Sequence, residues 1–388
     1  MISVIKKSPV VIHQLFFLFA QLMILQIHGI GYSGTLAYVG VVSTFLAVMV
    51  NLKWDIEIMV NNHLELHESL LDSSITIFLM AFIVIFFNLI IGSPFPVYII
   101  FSAIIIAIHE LLVSILFVQK KIYRYSFFRT IPAIALMLFA FVDLEAEIIW
   151  PASFCISVIF LLIYFRTLFK KAILGMNIIR IKKIKFLHKF YAAITASTFS
   201  FFSAFFVIVI NFYYGSDYVG LWSNTIRIFN SVLIFLLGAS LPFVLNMIRD
   251  KKTNSEKVKM FLYLWILFCP LIILSIFITL NWGEFILSFF ITYDFEVSNI
   301  YLSYIVIIAV AISFVGSSQG LYQGINKSVF LLGMIFVSAI VGLIYFFNDL
   351  PSFISLLEVF LISIFTLVMM VLAHLLFVLV YKTYGSRD

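Results

Sequence analysis

The sequence predicts an all-α polytopic membrane protein of about twelve transmembrane helices in two lobes of six. Three observations predict it: apolar runs of about twenty residues, positive charge confined to alternate loops, and a short motif that returns six spans later. Hydrophobic residues make up 64% of the chain and charged residues 11%, against roughly half and a quarter in a soluble domain. Lipid is the solvent such side chains expect. Backbone groups in lipid must bond internally, which leaves helices or a closed barrel, and the alternating segments of about ten residues that a barrel needs are missing.

The apolar runs place spans at 8–29, 34–52, 73–92, 95–118, 127–142, 147–168, 188–213, 219–247, 260–281, 297–324, 328–347 and 353–380. Lys6 and Lys7 precede the first, which is read as a retained helix because it carries Gln14, Gln21 and His28 and lacks a small-x-small cleavage site. Tyr38-Val39-Gly40 opens the second. Basic segments 120–129, 170–189 and 249–259 precede or open the fifth, seventh and ninth, and Lys327 precedes the eleventh. The intervening turns carry acids instead: Asp143, Glu145 and Glu147 before the sixth, Asp217 before the eighth, Glu284, Asp294 and Glu296 before the tenth, and Asp349 before the twelfth. Positive loops stay cytoplasmic, so this pattern predicts both termini inside. The net charge of +6 is then a topology signature and no sign of nucleic-acid binding.

The long basic connection around 170–186 divides the spans into lobes 1–178 and 179–388. Tyr218-Val219-Gly220 repeats the Tyr-Val-Gly motif 180 positions after its first occurrence. Six spans between equivalents make the predicted repeat parallel, with a pseudo-twofold along the membrane normal.

Helical spacing puts residues seven apart on one face, so Gln14, Gln21 and His28 form a polar stripe along the first span. Gly40, Thr44 and Asn51 line the second, and Gly220, Asn224, Arg227 and Ser231 line the eighth at equivalent positions. These residues are the candidate lining of a central cavity, although Ser, Thr, Gln and Asn also bridge membrane helices, at about 0.6–2 kcal/mol each. Arg227 lies about nine residues into its span, where a charge costs roughly 2.5–3.5 kcal/mol. It needs an anionic partner: Glu110, Glu358 or an anionic cargo whose phosphate its guanidinium fork could grip. Glu110, beside His109, and Glu358 are candidate coupling groups. Lys53, Asp55 and Glu57 at the end of the second span are candidate gate charges.

Enzymatic signatures are missing. His109-Glu110 opens like a zinc-protease helix, but Val113 stands where the second histidine belongs, and no GxxxxGK[ST] loop is present. His63, Glu65 and His67 read as a solvated loop rather than a metal site, and Cys155 and Cys269 as isolated thiols in apolar runs. No metal, cofactor or catalytic activity is expected.

Three segments resemble a known family. These are Leu52-Lys53-Trp54-Asp55-Ile56-Glu57-Ile58, the stretch from Gly215 through Thr225-Ile226-Arg227 to Gly238-Ala239-Ser240-Leu241-Pro242-Phe243, and Gly320 to Lys327. With the layout, they are similar to the polysaccharide (O-antigen type) flippases of the multidrug/oligosaccharidyl-lipid/polysaccharide exporter superfamily. The chain departs from that pattern in being short and in having Lys53 where arginine is commoner. The resemblance implies two six-helix lobes in a V, alternating access, residence in a bacterial inner membrane, and a lipid-linked oligosaccharide diphosphate as cargo. A polysaccharide polymerase and a chain-length regulator are the implied protein partners. The competing readings are a cation-coupled drug exporter of the same superfamily, which would want acids deep in the first lobe, and a membrane polymerase, which usually carries a larger outer loop.

Overall fold

A straight helix of 42 residues is about 63 Å long, twice the roughly 30 Å hydrocarbon core of a bilayer, so α1 (Val10–Asn51) cannot cross a membrane as one rod. It does not try to. In the computed structural model the helix breaks at Gly29, whose φ of 82° lies in the left-handed region that glycine tolerates. Trp150 shows how the chain continues. Its ring centroid is 6.5 Å from that of Phe17 on one side, and its ring atoms lie 3.0–3.2 Å from where a Cβ on Gly40 would stand. An unbroken helix would hold residues 17 and 40 about 35 Å apart. The two arms therefore lie side by side as the two spans expected at 8–29 and 34–52.

Residues 10–52, 66–90, 95–119, 121–168, 170, 200, 204–230, 253–290, 298–325, 327–348 and 352–384 are described. They pack as two compact units. One comprises the chain to His28 and from Thr35 to Ala204, and the other comprises Gly29–Gly34 with Phe205–Asp388.

In the first unit α1 is followed by α2 (Leu66–Ile90), α3 (Val97–Val118), α4 (Ile122–Phe139) and α5 (Ala146–Tyr164). Helix α3 is apolar over most of its surface, with Ile99, Ala103, Leu112 and Ile115 fully buried, as suits a central helix. Helix α2 turns Phe78, Phe82 and Phe86 outward at four-residue spacing, a face that water would penalise and lipid accepts. Its end is tied to the next span by Asn88, whose side chain donates to the Phe95 carbonyl and accepts from the Phe95 amide, both at 3.1 Å.

In the second unit the helices are α6 (Ala204–Tyr214), α7 (216–230), α8 (Asn254–Ser288), α9 (Asn299–Gly324), α10 (Ser328–Asn348) and α11 (Phe353–Tyr384). Small polar side chains bridge them. Ser338 and Ser363 each donate to the other's carbonyl, at 2.6 and 2.8 Å, and Trp265 donates to Ser317 at 3.1 Å. Asn230 donates to the Val306 carbonyl while Ser275 donates to the Phe229 carbonyl, tying α7 to α8 and α9. Glu284 and Asn299 exchange amide bonds of 2.7 and 2.8 Å across the turn between α8 and α9.

Among the described residues seven helices are long and apolar enough to cross a membrane. Three start several residues earlier than hydropathy suggests: α2 at 66 rather than 73, α4 at 122 rather than 127, and α8 at 254 rather than 260. Their first turns are polar, so an apolar window misses them, yet the backbone continues helically. For α8 the sequence holds the reason: Thr253 caps the helix by accepting from the Glu256 amide at 3.3 Å. The expected lobe boundary at 178/179 lies outside the described residues.

Candidate functional site

In the second unit, the polar face of α7 carries Asn224 and Arg227. Asn224 is fully buried, and its side-chain nitrogen donates to the Ser33 hydroxyl at 3.1 Å, while that hydroxyl lies 3.3 Å from the Asn224 oxygen. Arg227, half-buried, donates to the same oxygen at 3.3 Å. Within this unit no described carboxylate forms an ion pair with Arg227. Most of its five donors stay uncommitted to the described residues of the unit, an arrangement that suits an anion. Ser33 sits close because glycines permit it. A Cβ on Gly34 would strike the Ser216 carbonyl and stand 2.8 Å from the Gly220 nitrogen, and one on Gly220 would strike the Ile30 carbonyl.

In the first unit, Glu110 is bonded to Arg129 and approached at 3.6 Å by His109. The sequence offered Glu110 as a partner for Arg227 and placed Arg129 among the loop charges. Instead Arg129 lies two turns inside α4 and holds Glu110 itself. Positions 110 and 129 stand about equally far from the junction of α3 and α4, so the antiparallel register of the two helices brings them together. His109 is 2% exposed and packs edge-on against the Phe154 ring, at 5.2 Å.

The stripe on the first arm of α1 is turned inward within its unit. Gln21 is buried, Gln14 half-buried, and half-buried His28 lies 2.8 Å from the Ala140 carbonyl. Thr44 is exposed and turns its hydroxyl back to the Gly40 carbonyl at 2.7 Å, the usual local bond of a threonine within a helix. Asn51 is buried. Glu358 is exposed on α11. Ser231, Lys53, Asp55 and Glu57 lie outside the described residues, as do His63, Glu65 and His67. Sequence reasoning missed Ser33, which is 191 positions from Asn224 and carries no local signal.

No group of three metal-ligating side chains occurs among the described residues. No family model matches the sequence, and no curated protein matches it. Solved structures do. Over 96% of its length and 94% of the neighbour's, the chain is similar to the MATE multidrug transporter DinF-BH in complex with rhodamine 6G, at a TM-score of 0.59 and 16% identity. It is also similar to a proline-to-alanine mutant of a MATE protein over 97% of its own length and 96% of that chain, at a TM-score of 0.52 and 12% identity. The chain has the all-helical, multi-pass membrane fold of the MATE transporters.

Proposed function

We propose that the protein is an exporter that works by alternating access, and that its cargo is a small amphipathic molecule moved in exchange for a cation. The observation that carries this reading is the end-to-end likeness to a multidrug transporter. Efflux of rhodamine 6G from energised cells, with and without the protein, tests it. Unchanged dye retention refutes this cargo class.

One specific observation favours a second cargo, the lipid-linked oligosaccharide diphosphate. A cation exporter wants an unpaired acid deep in the first lobe, and there Glu110 is held by Arg129. In the second unit, by contrast, no described carboxylate pairs with Arg227, whose guanidinium donates to Asn224. An inside-negative potential supplies about 2.3 kcal/mol per charge per 100 mV for outward movement of such an anion. Flipping of a fluorescent lipid-linked diphosphate in proteoliposomes tests this reading, with Arg227→Ala as the informative variant.

A further inference from the structure

Helix α4 contains Pro132, which has no amide hydrogen and so frees the carbonyl of Phe128, four residues earlier. In lipid such a carbonyl must find other donors. It finds two. Ser157 on α5 donates to it at 2.9 Å, and Nε2 of His109 on α3 lies 3.5 Å away. The other ring nitrogen, Nδ1, is buried without a hydrogen-bond partner and faces Oε1 of Glu110 at 3.6 Å.

Both nitrogens of His109 thus face acceptors. A neutral imidazole carries one proton, so whichever tautomer forms, one lone pair points at a carbonyl or a carboxylate. The doubly protonated ring satisfies both. Glu110 can accept the new bond because Arg129 occupies its other oxygen, Oε2. We propose that His109 is a proton-binding site of the first unit, and that the proton it takes is the coupling cation of transport. A proton from water adds to the free ring nitrogen and no other bond breaks. The 3.6 Å approach then tightens to the roughly 2.7–2.9 Å of a charge-assisted bond. Proton binding completes a network across α3, α4 and α5 at the proline of α4. Proton loss opens it.

Besides His109, the titratable and charged groups among the described side chains of the first unit's helices are His13, His28 and Tyr38 on α1, Asp72 on α2, Tyr98 and Glu110 on α3, Tyr123, Arg124, Tyr125 and Arg129 on α4, and Glu147, Cys155 and Tyr164 on α5. Glu110, on α3 itself, is the acid within 4 Å of the imidazole, and Arg129 acts on it through Glu110.

The coupling role rests on the exporter reading, whereas the proton site does not, and the experiment separates them. The full chain, labelled with 15N-histidine and held in lipid nanodiscs, is followed by NMR while the pH is lowered through the histidine range, about 8 to 5. His109→Gln identifies the His109 signals. The expected result is an imidazolium pattern for His109 in the wild type that reverts to a neutral tautomer in Glu110→Gln at the same pH. A ring that stays neutral throughout overturns the site, and so do signals unchanged by Glu110→Gln. In proteoliposomes, His109→Gln should abolish the pH dependence of export while Gly333→Ala, where a Cβ meets nothing within 4 Å, keeps it. Export by His109→Gln that retains the wild-type pH profile overturns the coupling. A wild type that exports nothing refutes the exporter reading instead, with the NMR result standing.

Discussion

Ser33 and Asn224 are 191 positions apart in the chain, yet the Asn224 amide and the Ser33 hydroxyl bond at 3.1 Å in the core of the second unit. Asn224 also orients Arg227. Asn224→Ala should therefore strand the Ser33 hydroxyl and destabilise the protein by about 1–3 kcal/mol, the usual cost of a buried polar group left alone. Thermal unfolding in detergent measures it. An unchanged midpoint would show that the bond does not hold the segment.

The same contact depends on two glycines. Gly34→Ala and Gly220→Ala each drive a methyl group into backbone, against the Ser216 and Ile30 carbonyls, where no side-chain rotation relieves the clash. Both variants should give little folded protein in the membrane. Gly333→Ala, where a Cβ meets nothing within 4 Å, should accumulate normally. Equal yields from all three would contradict the close approach.

Ser157 and Pro132 should be energetically coupled. In the wild type, Ser157→Ala takes a donor from the Phe128 carbonyl and should cost about 1–3 kcal/mol. In a Pro132→Ala background the restored amide returns to that carbonyl, so the same substitution should cost less. A double-mutant cycle on unfolding midpoints reads the difference. Additive effects would mean the carbonyl is not what links the two residues.

Much of this fold is legible in the sequence because lipid imposes long apolar runs and leaves few alternatives. The paired arms of α1, the span ends near residues 90 and 118, and the starts of α9 to α11 follow from that constraint. Polar first turns escaped, since the start of α8 is set by the Thr253 cap and not by hydropathy. Among site residues, Arg227 was legible as a lone charge far inside a span. Its neighbour Asn224 was legible from helical spacing. Ser33 was not, because the contact joins distant segments. The pairing of Glu110 with Arg129 follows from the antiparallel register of α3 and α4, whereas charge depth alone, which does not encode register, offered Glu110 only as one candidate partner of Arg227 among three.

The predicted orientation can be checked by placing single cysteines at Asp143, Asp217 and Lys121 after replacing Cys155 and Cys269. An impermeant thiol reagent added to intact cells should modify the first two positions and spare the third. Asp143 and Asp217 are exposed, so labelling is not limited by packing. Modification at Lys121 in sealed cells would invert the topology.

Export of an organic cargo by this MATE-type fold is measured by transport in proteoliposomes containing the purified chain and no other protein. Rhodamine 6G and a fluorescent lipid-linked diphosphate are offered separately, with Arg227→Ala alongside. The expected result is protein-dependent movement of a cargo. If the diphosphate moves, Arg227→Ala should abolish it and Arg227→Lys should keep part of it, because the charge survives while the two-pronged grip on phosphate is lost. Neither cargo moving faster than in protein-free liposomes, with the wild type folded, would contradict export.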